Sequence, residues 1–116
     1  MALTFYGLKT CDTCRKALKA LEAAGQSVTN VDVRADGVDA ALLSGWIADK
    51  GVEALVNTRS TTWRGLDEPS RAKAATAEGA VALLGQHPTL MKRPVIVSGD
   101  QIHVGWTKAV QAELLG

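Results

Sequence analysis

Hydrophobic and polar positions follow two periods along the chain, and these predict several helices separated by short strands. Apolar residues at helical spacing run from Cys14 to Ala24 and again between Asp39 and Lys50, each run ending at a glycine. Short apolar or alternating runs, which are typical of strands, cover residues 3–6, 27–33, 94–97 and 102–104. Further helices are predicted over residues 52–56, 69–75, 76–84 and 107–115, and a loop over residues 57–65.

The order of these elements predicts an α/β protein with a thioredoxin-like fold. A βαβ unit opens the chain and makes its two strands parallel, whereas a short hairpin makes the last two strands antiparallel. We therefore expect one four-stranded mixed sheet, in the order βαβ … ββα, with helices on both faces. The 116 residues are enough for a single domain, with a helical insertion over about residues 39–92 between its two halves.

Both cysteines, Cys11 and Cys14, lie in one four-residue window between the first predicted strand and the first predicted helix. A cysteine at a helix start meets unpaired backbone N–H groups and the positive end of the helix dipole, and both favour the thiolate. The second cysteine, one turn later, can attack a mixed disulfide formed on the first. Beyond the pair, only His87, His103 and carboxylates remain as metal ligands, without the spacing of a zinc site. The pair therefore indicates redox chemistry more than a structural disulfide, and no metal is expected.

The composition, with 47% hydrophobic and 22% charged residues, is that of an ordinary soluble globular protein. A net charge of +1 gives no field that favours nucleic acid or a membrane. No apolar run reaches membrane-spanning length and no signal-peptide pattern is present, so a cytoplasmic location is expected. Charge is uneven, with residues 1–20 and 59–93 each at +3 and residues 21–58 at −4. If the fold brings the two basic segments together, they form an electropositive pocket around a thiolate.

Several motifs resemble the ArsC/Spx family, in the same order and over essentially the whole chain. They are residues 6–17 (YGLKTCDTCRKA), 57–64 (NTRSTTWR), 86–88 (QHP), 92–97 (KRPVIV) and 104–106 (VGW). The closest resemblance is to the YffB-like branch, small arsenate-reductase-related proteins whose middle segment is similar to residues 55–66.

The resemblance implies a nucleophile and two anion ligands. Cys11 falls on the cysteine that attacks arsenate in the arsenate reductases. Cys14 differs from many family members, which have only one cysteine in this window, and its position one turn later makes it the expected resolving thiol. Arg59 and Arg93 fall on two arginines that hold the oxyanion. A planar guanidinium can bind a tetrahedral oxyanion or a carboxylate through paired hydrogen bonds, and it lowers the pKa of a nearby thiol.

Three further residues complete the site that the resemblance implies. The helix-start amides around Thr13 would extend the anion cradle. Lys9 does not match the family residue for residue, but it would add positive charge near the thiol. Pro94 would open the third strand beside the active cysteine, a position where the proline of this fold is often the cis isomer.

Two glycines differ from the arsenate reductases. Gly7 stands where those enzymes have a histidine, and Gly105 stands where they have a third arginine. Loss of one charged ligand costs an oxyanion about 1.5–3 kcal/mol of binding.

We therefore expect a cytosolic thiol reductase that acts on a small anionic or disulfide substrate. Glutathione or a glutaredoxin-type thiol would donate the electrons, with no bound cofactor. The alternatives are a true arsenate reductase and a Spx-like redox-sensing regulator that binds RNA polymerase.

Three other residues, His103, Trp63 and Arg64, are candidates for the site on their residue type alone. His103 alternates with its apolar neighbours and is expected to face outward from a strand. Trp63 and Arg64 follow Arg59 in the predicted loop, and the pattern leaves both between a site role and a structural one.

Overall fold

The computed structural model describes residues 2–115, which contain four strands and seven α-helices. They are β1 (Ala2–Gly7), α1 (Asp12–Ala23), β2 (Ser27–Asp32), α2 (Ala40–Lys50), α3 (Val52–Leu55), α4 (Thr61–Arg64), α5 (Glu68–Ala72), α6 (Ala77–Gln86), β3 (Val95–Ser98), β4 (Gln101–Val104) and α7 (Lys108–Leu115). Two 3₁₀ turns, Lys73–Ala75 and Pro88–Leu90, follow α5 and α6. The chain forms two compact units, residues 2–36 with 93–115 and residues 37–92. The description as one domain with an insertion over about residues 39–92 stays a prediction.

The first unit is built on a single mixed sheet with the strand order β2-β1-β3-β4. β1 and β2 are parallel, while β3 pairs antiparallel with both β1 and β4. The hairpin between β3 and β4 closes around Gly99, whose φ of +58° is suited to a tight turn. The predicted four-stranded mixed sheet and its strand directions are confirmed.

One hydrophobic cluster holds both helices of the first unit against the sheet. Its buried members are Leu3 and Phe5 of β1, Ile96 of β3, Cys14, Ala17 and Leu21 of α1, and Val110 and Leu114 of α7. The β1 members alternate and the α1 members recur every three or four residues, as the two periods require. Burial of each large side chain contributes about 1.5–3 kcal/mol. Because Cys14 belongs to this cluster, the second cysteine lies in the core rather than on the surface.

The second unit is helical, and α2 packs against α6 within it. The apolar residues at helical spacing between Asp39 and Lys50 are Leu42, Leu43, Trp46 and Ile47. Of these, Leu43, Trp46 and Ile47 are buried, whereas Leu42, about 100° around the helix from Leu43, is 40% exposed. Asp39 begins α2 by accepting a hydrogen bond from the N–H of Ala41.

Two local predictions were wrong. Part of the predicted loop over residues 57–65 forms α4, which Ser60 caps by accepting from the N–H of Trp63. This one-turn helix has no buried residue, so it leaves no apolar period to detect. His103 is only 7% exposed rather than outward-facing, because Glu113 of α7 lies 3.1 Å from its Nδ1 and makes its burial tolerable.

Candidate active site

Cys11 is the N-cap of α1, in the connection between β1 and the helix. Its backbone is extended, with φ −88° and ψ 118°, and its carbonyl accepts the first helical hydrogen bond from the N–H of Arg15 at 3.0 Å. The sequence placed the helix start near Cys14, and the helix in fact begins at Asp12. The nucleophile candidate therefore sits where the unpaired amides and the positive end of the helix dipole act most strongly.

Three groups in the first unit favour the thiolate form of Cys11. Burial by itself raises the pKa of the thiol, but hydrogen bonds from the N–H and the thiol of Cys14, together with the guanidinium of Arg93, lower it below the ordinary value of 9.0. A thiolate accepts hydrogen bonds more strongly than a neutral thiol, so these donors stabilise mainly the charged form. Both cysteines are free thiols, and Cys11 is partly exposed.

Cys14 has the opposite character. It is 2% exposed and packs in the cluster that joins α1 to the sheet. Burial, and then its hydrogen bond and proximity to Cys11, raise the pKa of Cys14 to about 11. A thiol that keeps its proton can donate a hydrogen bond to the neighbouring thiolate. The pKa of Cys11 is therefore lowered and that of Cys14 raised from the same ordinary value, because the two thiols interact.

Arg93 and Pro94 bring β3 into the site. The Arg93–Pro94 peptide bond is cis. Pro94 is buried, and its carbonyl accepts from the N–H of Gly105 at 2.7 Å. Gly105 itself has a φ of +83°, a conformation that L side chains rarely adopt. The position where the arsenate reductases carry a third arginine is therefore shaped here for glycine.

Lys9 and Thr13 are exposed near the cysteines, in the loop and the first turn of α1. The backbone N–H of Ala35 and of Arg34 lower the pKa of Asp32, and Lys9 adds to this effect through its backbone and its charge. Lys9 also lines a cavity of about 150 Å³ together with Cys14 and Asp32. The described contacts of Lys9 are thus with Asp32, and its predicted role near the thiolate stays a prediction.

Arg59 belongs to the second unit, where it lines a cavity of about 710 Å³. The other lining residues are Val52, Glu53, Val56, Asn57, Thr58, Ala74 and Lys92. Its N–H donates to Asn57 Oδ1 at 3.0 Å, and its carbonyl accepts from Arg64 Nη2 at 3.2 Å. The structure therefore brings Cys11, Cys14, Arg93 and Pro94 together in one unit and holds Arg59 on a fixed turn in the other.

The side chains that support the Arg59 turn were not predicted from the sequence. Arg71 donates to the carbonyls of Trp63 at 3.2 Å and Arg64 at 3.1 Å, and its guanidinium lies 5.7 Å from the centre of the Trp63 ring. These contacts give Trp63 and Arg64 structural roles. Asn57 and Ser60 were detectable, because such residues commonly close turns through their side chains, whereas Arg71 carried no local signal.

Residues 2–115 show neither a metal-binding cluster nor a membrane-spanning helix. These residues contain no cluster of three or more His, Cys, Asp or Glu side chains that could hold a metal ion. None of the described helices is both long and apolar enough to cross a membrane.

The sheet order and the cysteine at the start of α1 define an α/β protein of the thioredoxin-like class. The model of the ArsC family matches residues 6–114. The chain therefore belongs to the ArsC family, as its motifs predicted.

Similar proteins span nearly the same length. A solved YffB protein is 32% identical with a TM-score of 0.91, and the match covers 98% of this chain and 99% of that one. An arsenate reductase (ArsC) related protein from Brucella melitensis is 36% identical with a TM-score of 0.75, covering 97% and 92%. An uncharacterized protein of Haemophilus influenzae is 39% identical over 106 residues, covering 91% and 92%. The global transcriptional regulator Spx of Bacillus subtilis is 22% identical over 111 residues, covering 91% and 81%.

Proposed function

We propose that this protein is a thiol–disulfide reductase in which Cys11 is the nucleophile and glutathione or a glutaredoxin-type thiol donates electrons. The observation that carries the proposal is the environment of Cys11. It combines a helix N-cap, the thiol of Cys14 and the guanidinium of Arg93, which together hold its pKa below the ordinary value despite burial. Membership of the ArsC family supports the same class of chemistry.

The reaction begins when the Cys11 thiolate attacks one sulfur of a disulfide R–S–S–R′. The Cys11–S–S–R bond forms, and R′S⁻ leaves and takes up a proton. Cys14 then attacks the Cys11 sulfur, giving a Cys11–Cys14 disulfide and releasing RSH, its own proton passing to the leaving thiolate. Two glutathione molecules restore both thiols and become glutathione disulfide, so the electrons balance. With Cys14 protonated, glutathione can instead attack the mixed disulfide directly.

Arginines would bind the anionic part of the substrate. Arg93 is beside Cys11 and can pair with a carboxylate next to the reacting sulfur, with the exposed first turn at Thr13 offering backbone N–H donors. Arg59, with Lys92 in the same cavity, supplies a second cationic surface. Because glutathione carries two carboxylates, we infer that it is the co-substrate. The protein would then act in the cytoplasm, where that thiol is abundant. Neither nucleic acid nor a membrane has a role in this reaction.

The test is turnover of a small organic disulfide with reduced glutathione, followed by NADPH consumption through added glutathione reductase. Cys11→Ser should abolish turnover, and Arg59→Ala should raise KM more than it lowers kcat. Full turnover in Cys14→Ser would remove the resolving role and leave a monothiol mechanism. Unchanged turnover in Cys11→Ser would refute the proposal.

Arsenate reduction is the second candidate, and the name of the Brucella melitensis relative favours it. Arsenate would bond to Cys11 with loss of water. A glutaredoxin-type thiol RSH would then attack the Cys11 sulfur, releasing arsenite and leaving a Cys11–S–S–R disulfide, and a second thiol would restore Cys11 with RSSR as the product. Gly105 leaves this site without the third arginine of the arsenate reductases, and Gly7 replaces their histidine, so we expect arsenate turnover to be much weaker than disulfide turnover. Adding arsenate and glutaredoxin to the same assay decides between disulfide reduction and arsenate reduction. Arsenite formation as fast as disulfide reduction would make arsenate reduction the first candidate.

A regulatory role is the third candidate, favoured by the Spx relative and the cysteine pair. The pair would then act as a redox sensor on a protein that binds RNA polymerase. Stoichiometric capture of the polymerase α subunit without any turnover would support this role and refute the enzyme.

A further inference from the structure

Gly7, the last residue of β1, lies directly against the sulfur of Cys14. A Cβ atom at position 7 would lie 2.8 Å from Cys14 Sγ, 2.8 Å from Phe5 Cε1 and 3.2 Å from Cys14 Cβ. Real Cβ atoms do not approach other heavy atoms as closely as the first two distances. Gly7 does not have a positive φ, so the backbone does not require glycine here. Glycine is required at position 7 because the Cys14 and Phe5 side chains leave no room for a Cβ atom.

The backbone at Gly7 cannot withdraw from this contact. Gly7 is paired with Asp32 in the parallel β1–β2 ladder, and its carbonyl accepts from the N–H of Val33 at 3.0 Å. Phe5 is 1% exposed and belongs to the central cluster, so its ring is also fixed. The three contacting atoms belong to two side chains, Phe5 and Cys14, and the small Cys14 side chain can rotate its sulfur where the large Phe5 ring cannot turn away.

Space for such a rotation exists beside the sulfur. The cavity of about 150 Å³ is lined by Gly7, Cys14, Leu8 and Leu18, among others. A methyl group at position 7 would push the Cys14 sulfur toward this cavity and away from Cys11. In the wild-type protein the sulfur stays where its thiol reaches Cys11.

We propose that Gly7 is a positioning residue for the dithiol: the absence of a side chain there keeps the Cys14 sulfur within reach of Cys11. This inference rests on the proposed function only in giving Cys14 a resolving role. Residue 7 then decides which thiol resolves the mixed disulfide on Cys11. With a side chain at this position, an external thiol would have to replace Cys14.

The test is Gly7→Ala in the reduced, full-length protein, with two measurements that do not depend on turnover. The first is the pH dependence of Cys11 alkylation. The pKa of Cys11 should rise by about one pH unit, because the thiolate loses one hydrogen-bond donor. The second is the release of a coloured thiol from a mixed disulfide preformed on Cys11. This step forms the Cys11–Cys14 bond as the Cys11–S–R bond breaks, and it should slow at least about tenfold.

The matched control repeats Gly7→Ala in a Cys14→Ala background. If Gly7 acts through the sulfur, the substitution leaves the pKa of Cys11 unchanged there. An equal rise of pKa in both backgrounds would overturn the proposal, as would an unchanged pKa and release rate in the single variant. Because substrate turnover is not measured, failure here is distinct from failure of the proposed function.

A second pair keeps the test valid if Gly7→Ala does not fold. Phe5→Leu removes the ring atom that would meet the new methyl group, so Phe5→Leu and Phe5→Leu/Gly7→Ala can be compared in the same two measurements. The same rise of pKa and loss of release rate are expected between them. Identical values in the two proteins would overturn the proposal.

Discussion

The guanidinium of Arg93 reaches the sulfur of Cys11, so a residue two positions before β3 stabilises a thiolate at the start of α1. The contact lies wholly within the first unit. It places a fixed cation beside the candidate nucleophile before any substrate arrives, and such preorganised charge is the form in which electrostatics helps catalysis most.

Arg93→Gln should shift the reactivity of Cys11 toward higher pH. Because loss of the guanidinium removes a hydrogen bond and a positive charge, the pKa of Cys11 should rise by roughly half to one pH unit. The alkylation rate at neutral pH should fall several-fold. Arg15→Gln is the control, since Arg15 is paired with the exposed Asp12 at 3.2 Å. Equal shifts in both variants would show only a general effect of net charge.

The buried thiol of Cys14 should make the reduced protein less stable in alkali. A folded pKa raised above the unfolded value of 9.0 means that the unfolded chain loses this proton first as pH rises. The stabilisation is therefore complete below about pH 9 and lost as pH rises toward 11.

The measurement is urea unfolding from pH 8 to 11 in Cys11→Ser, a background that removes the partner thiolate and any disulfide while leaving the burial of Cys14. The free energy of unfolding should fall by roughly 1–2 kcal/mol more than in Cys11→Ser/Cys14→Ala. Other groups titrate alike in both proteins. Parallel pH profiles would contradict the prediction.

Two helical glycines should respond to alanine with opposite signs. Nothing lies within 4 Å of a Cβ added at Gly45 in α2, so Gly45→Ala should raise the free energy of unfolding by about 0.5–1 kcal/mol. A Cβ at Gly79 in α6 would overlap the carbonyl oxygen of Lys73, so Gly79→Ala should lower it by about 1–3 kcal/mol. Urea unfolding measures both changes. A stabilising Gly79→Ala would contradict the close approach of Gly79 to the Lys73 carbonyl.

Arg71→Lys should loosen the turn that carries Arg59. Lysine keeps the charge but cannot reproduce two hydrogen bonds to carbonyls and the contact with the Trp63 ring. We expect a loss of about 1–2 kcal/mol and faster hydrogen exchange of the α4 amides. Lys73→Ala, an exposed change on the neighbouring turn, should stay within about 0.5 kcal/mol. Unchanged α4 exchange in Arg71→Lys would exclude the supporting role.

The sequence predicted the parts of the fold that depend on near neighbours. Period, glycine stops and the βαβ order were enough for the strands, the long helices and the mixed sheet. The one-turn helix α4 escaped detection because a single exposed turn has no apolar period. His103 was misplaced because the carboxylate that makes its burial tolerable comes from another element, at Glu113.

The cysteine pair at a helix start, the ArsC motifs and the candidate arginines are all visible in the sequence alone. The tertiary structure decided the rest: Cys11 is the N-cap and Cys14 is core, Arg93 reaches the thiol, and Gly7 leaves room for the second sulfur. Local sequence sets what each short segment prefers. The distances that tune a thiol depend instead on which strands pair and which side chains then compete for one volume, and those are fixed only when distant segments pack together.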